Sequence, residues 1–425
     1  MITSDIELLV SKMAENLVGS EIIKLAGEVK AKIAAGEEIA NLTIGDFNPS
    51  IFPIPTELKN NIISCYEQGL TNYPMANGMP ELREIVSTYI STRQNLNYSP
   101  DEFLIAGGAR PLIYAAYQAL IDPGDVVVFP VPSWNNNHYT HLSRGRAVYI
   151  ESGVEDNFMP TAAALKPFIS EATLIAVCSP LNPTGTVFTR QQLEEICDLI
   201  IEENRKRGPE KKSVYLLFDQ IYWSLTFGDT IHYDPVSIRP EMRNYTIFVD
   251  GISKVFAATG VRVGWGFGPG KVMNKMKSIL SHVGAWSPKA EQIATARFLS
   301  NTDAVDSYLN NIRGKIEFRL DGFHAVIQEL KEMGHPVDAI PPQAAMYLTV
   351  RFSLKGKTTS NGTVLETTED VTRYLLDEAK LAIVPFYAFG TDRNSDWYRL
   401  SVGTAKESDI DSVRVNLGRA LAKLS

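Results

Sequence analysis

The sequence predicts an α/β protein: a large domain built on a mostly parallel seven-stranded sheet flanked by helices, plus a smaller α+β domain. Three observations point there. Seven short apolar runs rich in Val and Ile, between residues 103 and 267, alternate with longer amphipathic stretches. The runs are near-continuously apolar, as strands covered on both faces are. Beyond residue 300 the pattern changes to one long amphipathic stretch followed by alternating segments.

Taken in order, residues 5–40 carry helical periodicity through Ile6, Leu8, Leu9 and Met13, then Ile22, Ile23, Leu25 and Val29. The strand candidates are Phe103–Ala106, Val126–Pro130, Ala147–Ile150, Leu174–Cys178, Val214–Phe218, Thr246–Val249 and Val263–Phe267. Between them, Gln191–Glu203 reads as a helix opened by a capping box at Thr189 and Gln192. The basic run Arg205–Lys212 ends that helix and reads as a solvated turn. A long helix over Val305–Met333 leads to alternating segments Met346–Phe352, Ala382–Pro385 and Trp397–Val402, with Ser353–Asp370 as a polar surface loop. The expected boundaries are 46–300 for the large domain, and 1–45 with 301–425 for a discontinuous small one.

Composition limits the function classes. The chain has 425 residues, 44% hydrophobic and 21% charged, which is ordinary for a protein with an ample core. Acidic residues (49) outnumber basic ones (41), so a polyanion-binding surface is not expected. Cys65, Cys178 and Cys197 are too few and scattered for a disulfide framework or a zinc site, which fits a reducing, cytoplasmic setting. The N-terminus lacks a basic segment followed by an apolar core, and no run of 18 apolar residues occurs.

Ligands of open α/β sheets bind at the carboxyl ends of the strands, so the residues just past each run matter most. Familiar motifs fail there: no G-x-x-x-x-G-K-[ST] loop, no H-E-x-x-H and no G-x-S-x-G occurs, and the glycine-rich Gly264–Gly270 segment lacks G-x-G-x-x-G spacing. A different set stands at the strand ends. Gly107-Gly108-Ala109-Arg110 opens a helix, where small residues let backbone N–H groups approach an anion. Trp134 follows the second run. Ser179-Pro-Leu-Asn-Pro-Thr-Gly185 forms a rigid turn that fixes Asn182. Asp219 ends the fifth run, with Tyr222 close behind, and a carboxylate there needs a cation or polar partner. Ser253-Lys254 follows the sixth run; burial would lower the amine's pKa and make Lys254 a candidate nucleophile. Arg262 lies in Gly260-x-Arg-x-Gly264, and Arg399 stands in an apolar strand, where it wants a planar anionic partner. Each has a plain structural alternative: packing for Trp134, a helix cap for Asp219, solvent for Lys254, an ion pair for Arg399.

As an ordered set, these motifs resemble the class I/II aminotransferases, pyridoxal 5'-phosphate (PLP) enzymes of the aspartate aminotransferase-like fold type I. Tyr73-x-x-x-x-Gly78-x-x-x-Leu82-Arg83 resembles a further segment of that family, and Gly45 resembles its N-terminal glycine beside the substrate carboxylate. The resemblance runs from about Leu42 to Gly403. It implies that Lys254 carries PLP covalently and moves the substrate proton, and that Asp219 keeps the pyridine nitrogen protonated. It further implies that Asn182 and Tyr222 hold the 3'-oxygen, that Trp134 stacks on the ring, and that Gly108, Ala109, Ser253 and Arg262 hold the phosphate. Arg399 would anchor the substrate α-carboxylate. Tyr73 would reach the phosphate in a neighbouring subunit, implying a homodimer with shared active sites. Bacterial members that use aspartate often carry Lys where Ala109 stands. Arg110 is adjacent, but one step along a helix turns about 100°, which points it elsewhere.

The expected function is amino-group transfer from an L-amino acid to a 2-oxo acid by a ping-pong mechanism. A carbon–sulfur lyase or other β/γ-eliminating enzyme is the alternative on the same scaffold. A non-catalytic PLP-binding sensor is weaker, because some forty residues before Gly45 leave no room for a basic DNA-binding domain.

Overall fold

A computed structural model describes residues 10–17, 19 and 21–425. Ile6, Leu8 and Leu9 lie outside the described residues, as do the side chains of Ile22 and Ile23. Seven strands form the large sheet: β1 (Phe103–Ala106), β2 (Val126–Val131), β3 (Arg146–Glu151), β4 (Ala172–Cys178), β5 (Tyr215–Asp219), β6 (Thr246–Gly251) and β7 (Gly264–Phe267). Their order is β1-β7-β6-β5-β4-β2-β3. All pairs are parallel except those of β7, which runs antiparallel to both β1 and β6.

Strand side chains alternate between faces, and here both faces are covered. Phe103, Ile105, Val128, Ile175, Val177, Leu216 and Phe218 enter one apolar cluster, while Leu104, Ala106, Val127, Phe129, Leu174, Ala176 and Leu217 enter another. The expectation of two-sided burial fails at β3, whose Arg146, Tyr149 and Glu151 are exposed. It stands at one end of the sheet with one face left open, whereas β1 at the other end is buried throughout.

The register sets the site. Cys178 pairs with Asp219, and Asp219 with Val249, so the ends of β4, β5 and β6 stand side by side. Gly264 pairs with both Ala106 and Gly251, which draws the turn after β1 and the segment after β6 to the same end. A Cβ on Gly264 would stand 2.5 Å from the carbonyl carbon of Gly108, so only glycine permits that approach.

A second sheet, antiparallel throughout, has the order β10-β11-β9-β8: β8 (Val337–Ala339), β9 (Tyr347–Phe352), β10 (Val384–Pro385) and β11 (Trp397–Ser401). The helix Thr302–Glu332 buries the stripe Val305, Leu309, Ile312, Ile316, Leu320, Phe323, Ile327 and Leu330 at helical spacing. Helix Glu21–Ala34 sets Leu25 and Val29 against Leu376 and Ala382. Ala40–Asn41 pairs with Leu381–Ala382, so the predicted single strand Ala382–Pro385 is two, changing partners at Ile383. No helix among the described residues is long and apolar enough to cross a membrane.

Two further readings are corrected. The loop expected over Ser353–Asp370 ends earlier, because Thr367 and Asp370 form a capping box that opens helix Thr368–Glu378. The run Arg205–Lys212 is not simply solvated. The Arg207 side chain is only 4% exposed and donates to the carbonyls of Ile169 and Ala172, both at 2.9 Å. It ties the end of helix Arg190–Lys206 to the start of β4. The Thr189–Gln192 capping box of that helix is present.

Candidate active site

A cavity of about 590 Å³ opens at the carboxyl ends of the central strands. Gly45, Ala109, Trp134, Asn182 and Asp219 line it, together with Tyr222, Ser253, Lys254, Arg262 and Arg399. These residues come from elements as far apart in sequence as Gly45 and Arg399; the large sheet gathers those at its strand ends, and the second sheet adds Arg399, which bonds back to the Thr43 carbonyl.

Lys254 sits in a short helix (Ile252–Val255) just past β6 and donates to the Gly45 carbonyl at 2.7 Å. Burial pushes its amine down to about 8; Arg399 and Arg110 push the same way, while Asp46 and Asp219 oppose. About a tenth of the amine is therefore neutral at pH 7, far more than for an ordinary lysine. Asp219 ends β5 and accepts from the Ile221 N–H at 3.1 Å. Burial raises its carboxyl to about 6, against that hydrogen bond and the Lys254 charge. A cation beside it would hold it ionised.

Arg399 is the most demanding residue in the cavity. It is 2% exposed, and among the described residues no carboxylate pairs with it. Nη1 donates to Asn182 Oδ1 at 3.1 Å and Nη2 to the Thr43 carbonyl at 2.6 Å, while Nε is buried without a partner. Its guanidinium carbon lies 4.9 Å from the ring centres of both Tyr347 and Phe389. A Cβ on Gly45 would stand 3.2 Å from Tyr347 Oη and 3.4 Å from Arg399 Nη1, so the glycine keeps that corner open. An orphaned N–H in a half-satisfied buried fork fits a planar anion arriving from solution.

At the opposite side, Gly108 caps helix Ala109–Leu120 with φ +97° and no side-chain cap bond, leaving the first-turn N–H groups open. Arg262 packs against it: a Cβ on Gly108 would meet Nη2 at 2.4 Å. Arg262 donates to the carbonyls of Thr259 and Gly107 at 2.7 and 2.6 Å. Ser253 is buried beside this cradle. An open helix N-terminus beside a fixed guanidinium suits a phosphate. Tyr222 shares a 2.7 Å hydrogen bond with Tyr347.

Tyr73 is the one predicted residue that the single chain does not bring to this place. It is 82% exposed and meets Trp286 edge-on at 5.3 Å, beside a second hollow of about 260 Å³. Gly78 and Arg83 of the same segment are structural. A Cβ on Gly78 would strike Ile105, and Arg83 pairs with Asp101 at 2.8 Å.

Three residues of the site escaped the sequence reading. Asp46 and Tyr347 belong to no motif. Arg110 was expected to point away, yet it lines the cavity, with its guanidinium carbon 5.5 Å from the Trp134 ring centre. Side chains lean toward the helix N-terminus, which here is the cavity end, so a long first-turn side chain returns to it despite its angular position.

Residues 37–414 match the family described as aminotransferase class I and II. The chain belongs to this family. Among its relatives, a "Probable aspartate/prephenate aminotransferase" of Rickettsia felis is 28% identical over 408 residues, spanning 95% of this chain and 93% of that protein. An aspartate aminotransferase of Bacillus sp. (strain YM-2) is 29% identical over 389 residues, spanning 90% and 92%. Among solved structures, the aspartate aminotransferase from Rhizobium meliloti superposes with a TM-score of 0.88 at 25% identity, covering 98% of this chain and all (100%) of that one. The seven-stranded α/β architecture and the transaminase reaction class are thereby those of the family, which is one that uses PLP. Its members act on amino acids and 2-oxo acids.

Proposed function

We propose that this transaminase binds PLP in the cavity at the carboxyl ends of β4–β6, with Lys254 as its covalent attachment point, and exchanges amino groups between an L-amino acid and a 2-oxo acid. The observation that carries the reading is the Lys254 amine, lowered to about 8 in a cavity that also holds Asp219 and Arg399. The donor set fits the cofactor. The open helix N-terminus with Gly108, Ala109, Ser253 and Arg262 suits its phosphate. Asp219 suits the pyridine nitrogen, Asn182 and Tyr222 the ring oxygen, and Trp134 a stacked ring face.

When bound, PLP supplies the electron sink that lets the α-proton of an amino acid leave. The chain's own residues do the rest. Arg399 binds the α-carboxylate through its half-free fork and fixes which Cα bond faces the lysine. The Lys254 amine, once free, would take the proton from the substrate Cα and deliver it to C4' of the cofactor, which is the transfer that leaves a 2-oxo acid behind. Asp219, kept ionised by a neighbouring cation, holds the ring nitrogen protonated. Asn182 links the Arg399 fork to the ring oxygen's neighbourhood through its 3.1 Å hydrogen bond.

The test is a half-reaction. The PLP-loaded enzyme and one amino donor, with no acceptor, should release one equivalent of 2-oxo acid per site and stop, and a second 2-oxo acid should restore the starting absorbance. Continuous release of ammonia without any acceptor would instead establish an eliminating enzyme.

The relatives' names support an acidic donor such as aspartate. We also infer a homodimer. Tyr73 stands exposed with Ile63, Tyr66 and Met75, each half or more exposed, forming an apolar face that a second copy would cover. A purely monomeric protein in sedimentation equilibrium at micromolar concentration would overturn this.

A further inference from the structure

Two buried hydroxyls at the cavity wall hold more protons than acceptors. Tyr222 is 3% exposed and Tyr347 is 1% exposed. Their oxygens lie 2.7 Å apart, and among the described residues each is the other's only hydrogen-bond partner. Burial pushes the pKa of both upward, so both stay protonated. A hydroxyl has one proton to donate, and one contact uses one proton. The pair therefore keeps a second O–H with no acceptor, which is costly in a buried place. Such a donor fits an oxygen that arrives with a ligand.

The fold decides which hydroxyl carries the spare proton. Tyr222 lines the cavity, whereas Tyr347 stands behind it and does not. Tyr347 is also firmly held. It opens β9 and pairs with Ser401 of β11. The Ala345 N–H donates to the Leu225 carbonyl at 2.7 Å, which ties the approach to β9 to the segment carrying Tyr222. A Cβ on Gly185 would stand 2.3 Å from the Tyr347 carbonyl oxygen, so the turn that holds Asn182 packs on the same residue. The Arg399 guanidinium covers the Tyr347 ring at 4.9 Å.

We infer that Tyr347 is a positioning residue for the cofactor site: its hydroxyl donates to Tyr222 and so turns the Tyr222 proton into the cavity, onto the ring oxygen of the bound cofactor. This rests on the reading that Tyr222 meets that oxygen. Donation from Tyr347 also polarises the Tyr222 O–H and makes it the stronger donor. A strong donor there holds the ring oxygen in its anionic form. The neighbouring nitrogen, contributed by Lys254, then becomes less basic and loses its proton at a lower pH.

The experiment follows the absorbance of the PLP-loaded, substrate-free enzyme across pH in the wild type, Tyr347→Phe, Tyr222→Phe and the double variant. Phenylalanine keeps the ring and its packing on Arg399. In Tyr347→Phe the midpoint of the transition should rise by about half a pH unit, the weight of one neutral hydrogen bond. In Tyr222→Phe it should rise by about one to two pH units, because that bond ends on a charged oxygen. The double variant should match Tyr222→Phe, since Tyr347 acts only through Tyr222. The dissociation constant of propionate, a carboxylate with no amino group, should be the same in Tyr347→Phe as in the wild type. An unmoved midpoint in Tyr347→Phe, or a shift that adds to that of Tyr222→Phe, overturns the inference. Weaker propionate binding with an unmoved midpoint also overturns it and makes Tyr347 a ligand of the substrate carboxylate. A midpoint unmoved by Tyr222→Phe is a distinct result: it removes Tyr222 from the ring oxygen, and the inference falls with that reading.

Discussion

Replacing Lys254 with alanine should lower transaminase turnover by about 10⁴-fold or more, because in the proposed mechanism one amine both attaches the cofactor and carries the α-proton. No neighbour can substitute for it. Cys178 lines the same cavity, but burial and Asp219 hold its thiol well above its ordinary range, so it stays protonated. Tyr222 is likewise pushed far up by burial. The proposed phosphate cradle at Gly108 and Arg262 is untouched by the substitution, so the variant should still bind PLP, reversibly and without a covalent link. Steady-state assays with aspartate and glutamate, with cofactor retention on a desalting column, check both halves. A variant that keeps more than about a tenth of wild-type turnover would contradict the role given to Lys254.

The second large effect belongs to Arg399. Replacing it with methionine should reduce kcat/KM by about 10²- to 10⁴-fold, the cost of removing one member of a buried charge pair. Thermal stability should change little or rise. The reason lies in its surroundings: a guanidinium 2% exposed, with two neutral hydrogen-bond partners and an orphaned Nε, is a burden to the empty protein. Methionine has similar length and no charge to desolvate. In the proposed role, the binding energy withheld from folding would be returned when a carboxylate arrives, a trade between stability and activity. Calorimetry of the variant with kinetics separates this from a structural ion pair. A structural arginine would lower the melting temperature and leave KM alone.

Much of the fold was legible because strands buried on both faces write themselves as apolar runs. Phe103–Ala106 agrees residue for residue, and the others differ at their ends by one or two. β3 broke the rule because one of its faces is left uncovered, while β1 at the other end of the sheet is covered on both; which faces are covered depends on what packs over them, which a run of residues does not carry. Site residues anchored in local motifs, such as Asn182 between two prolines and Lys254 after a core strand, were readable for the same reason. Pairings across the chain were not. The hydrogen bond between Asn182 and Arg399 spans 217 positions, and the one between Tyr222 and Tyr347 spans 125. Arg110 was misjudged on a different ground: angular position on a helix predicts where Cβ points, whereas a side chain of several rotatable bonds goes where charge and open space allow. Arg207 shows the converse, a cation in a basic run that is captured by carbonyls from another element.

The central claim is that Lys254 is a buried, partly neutral amine placed to capture a carbonyl cofactor. The direct measurement mixes cofactor-free wild-type protein with PLP and follows the rate of the absorbance change across pH, with Lys254→Ala alongside. Only the neutral amine reacts, so the rate should climb as pH rises through about 8 and level off above it, and the variant should show no such phase. A rate in the wild type that ignores pH across that range, or one shared by Lys254→Ala, would contradict the account.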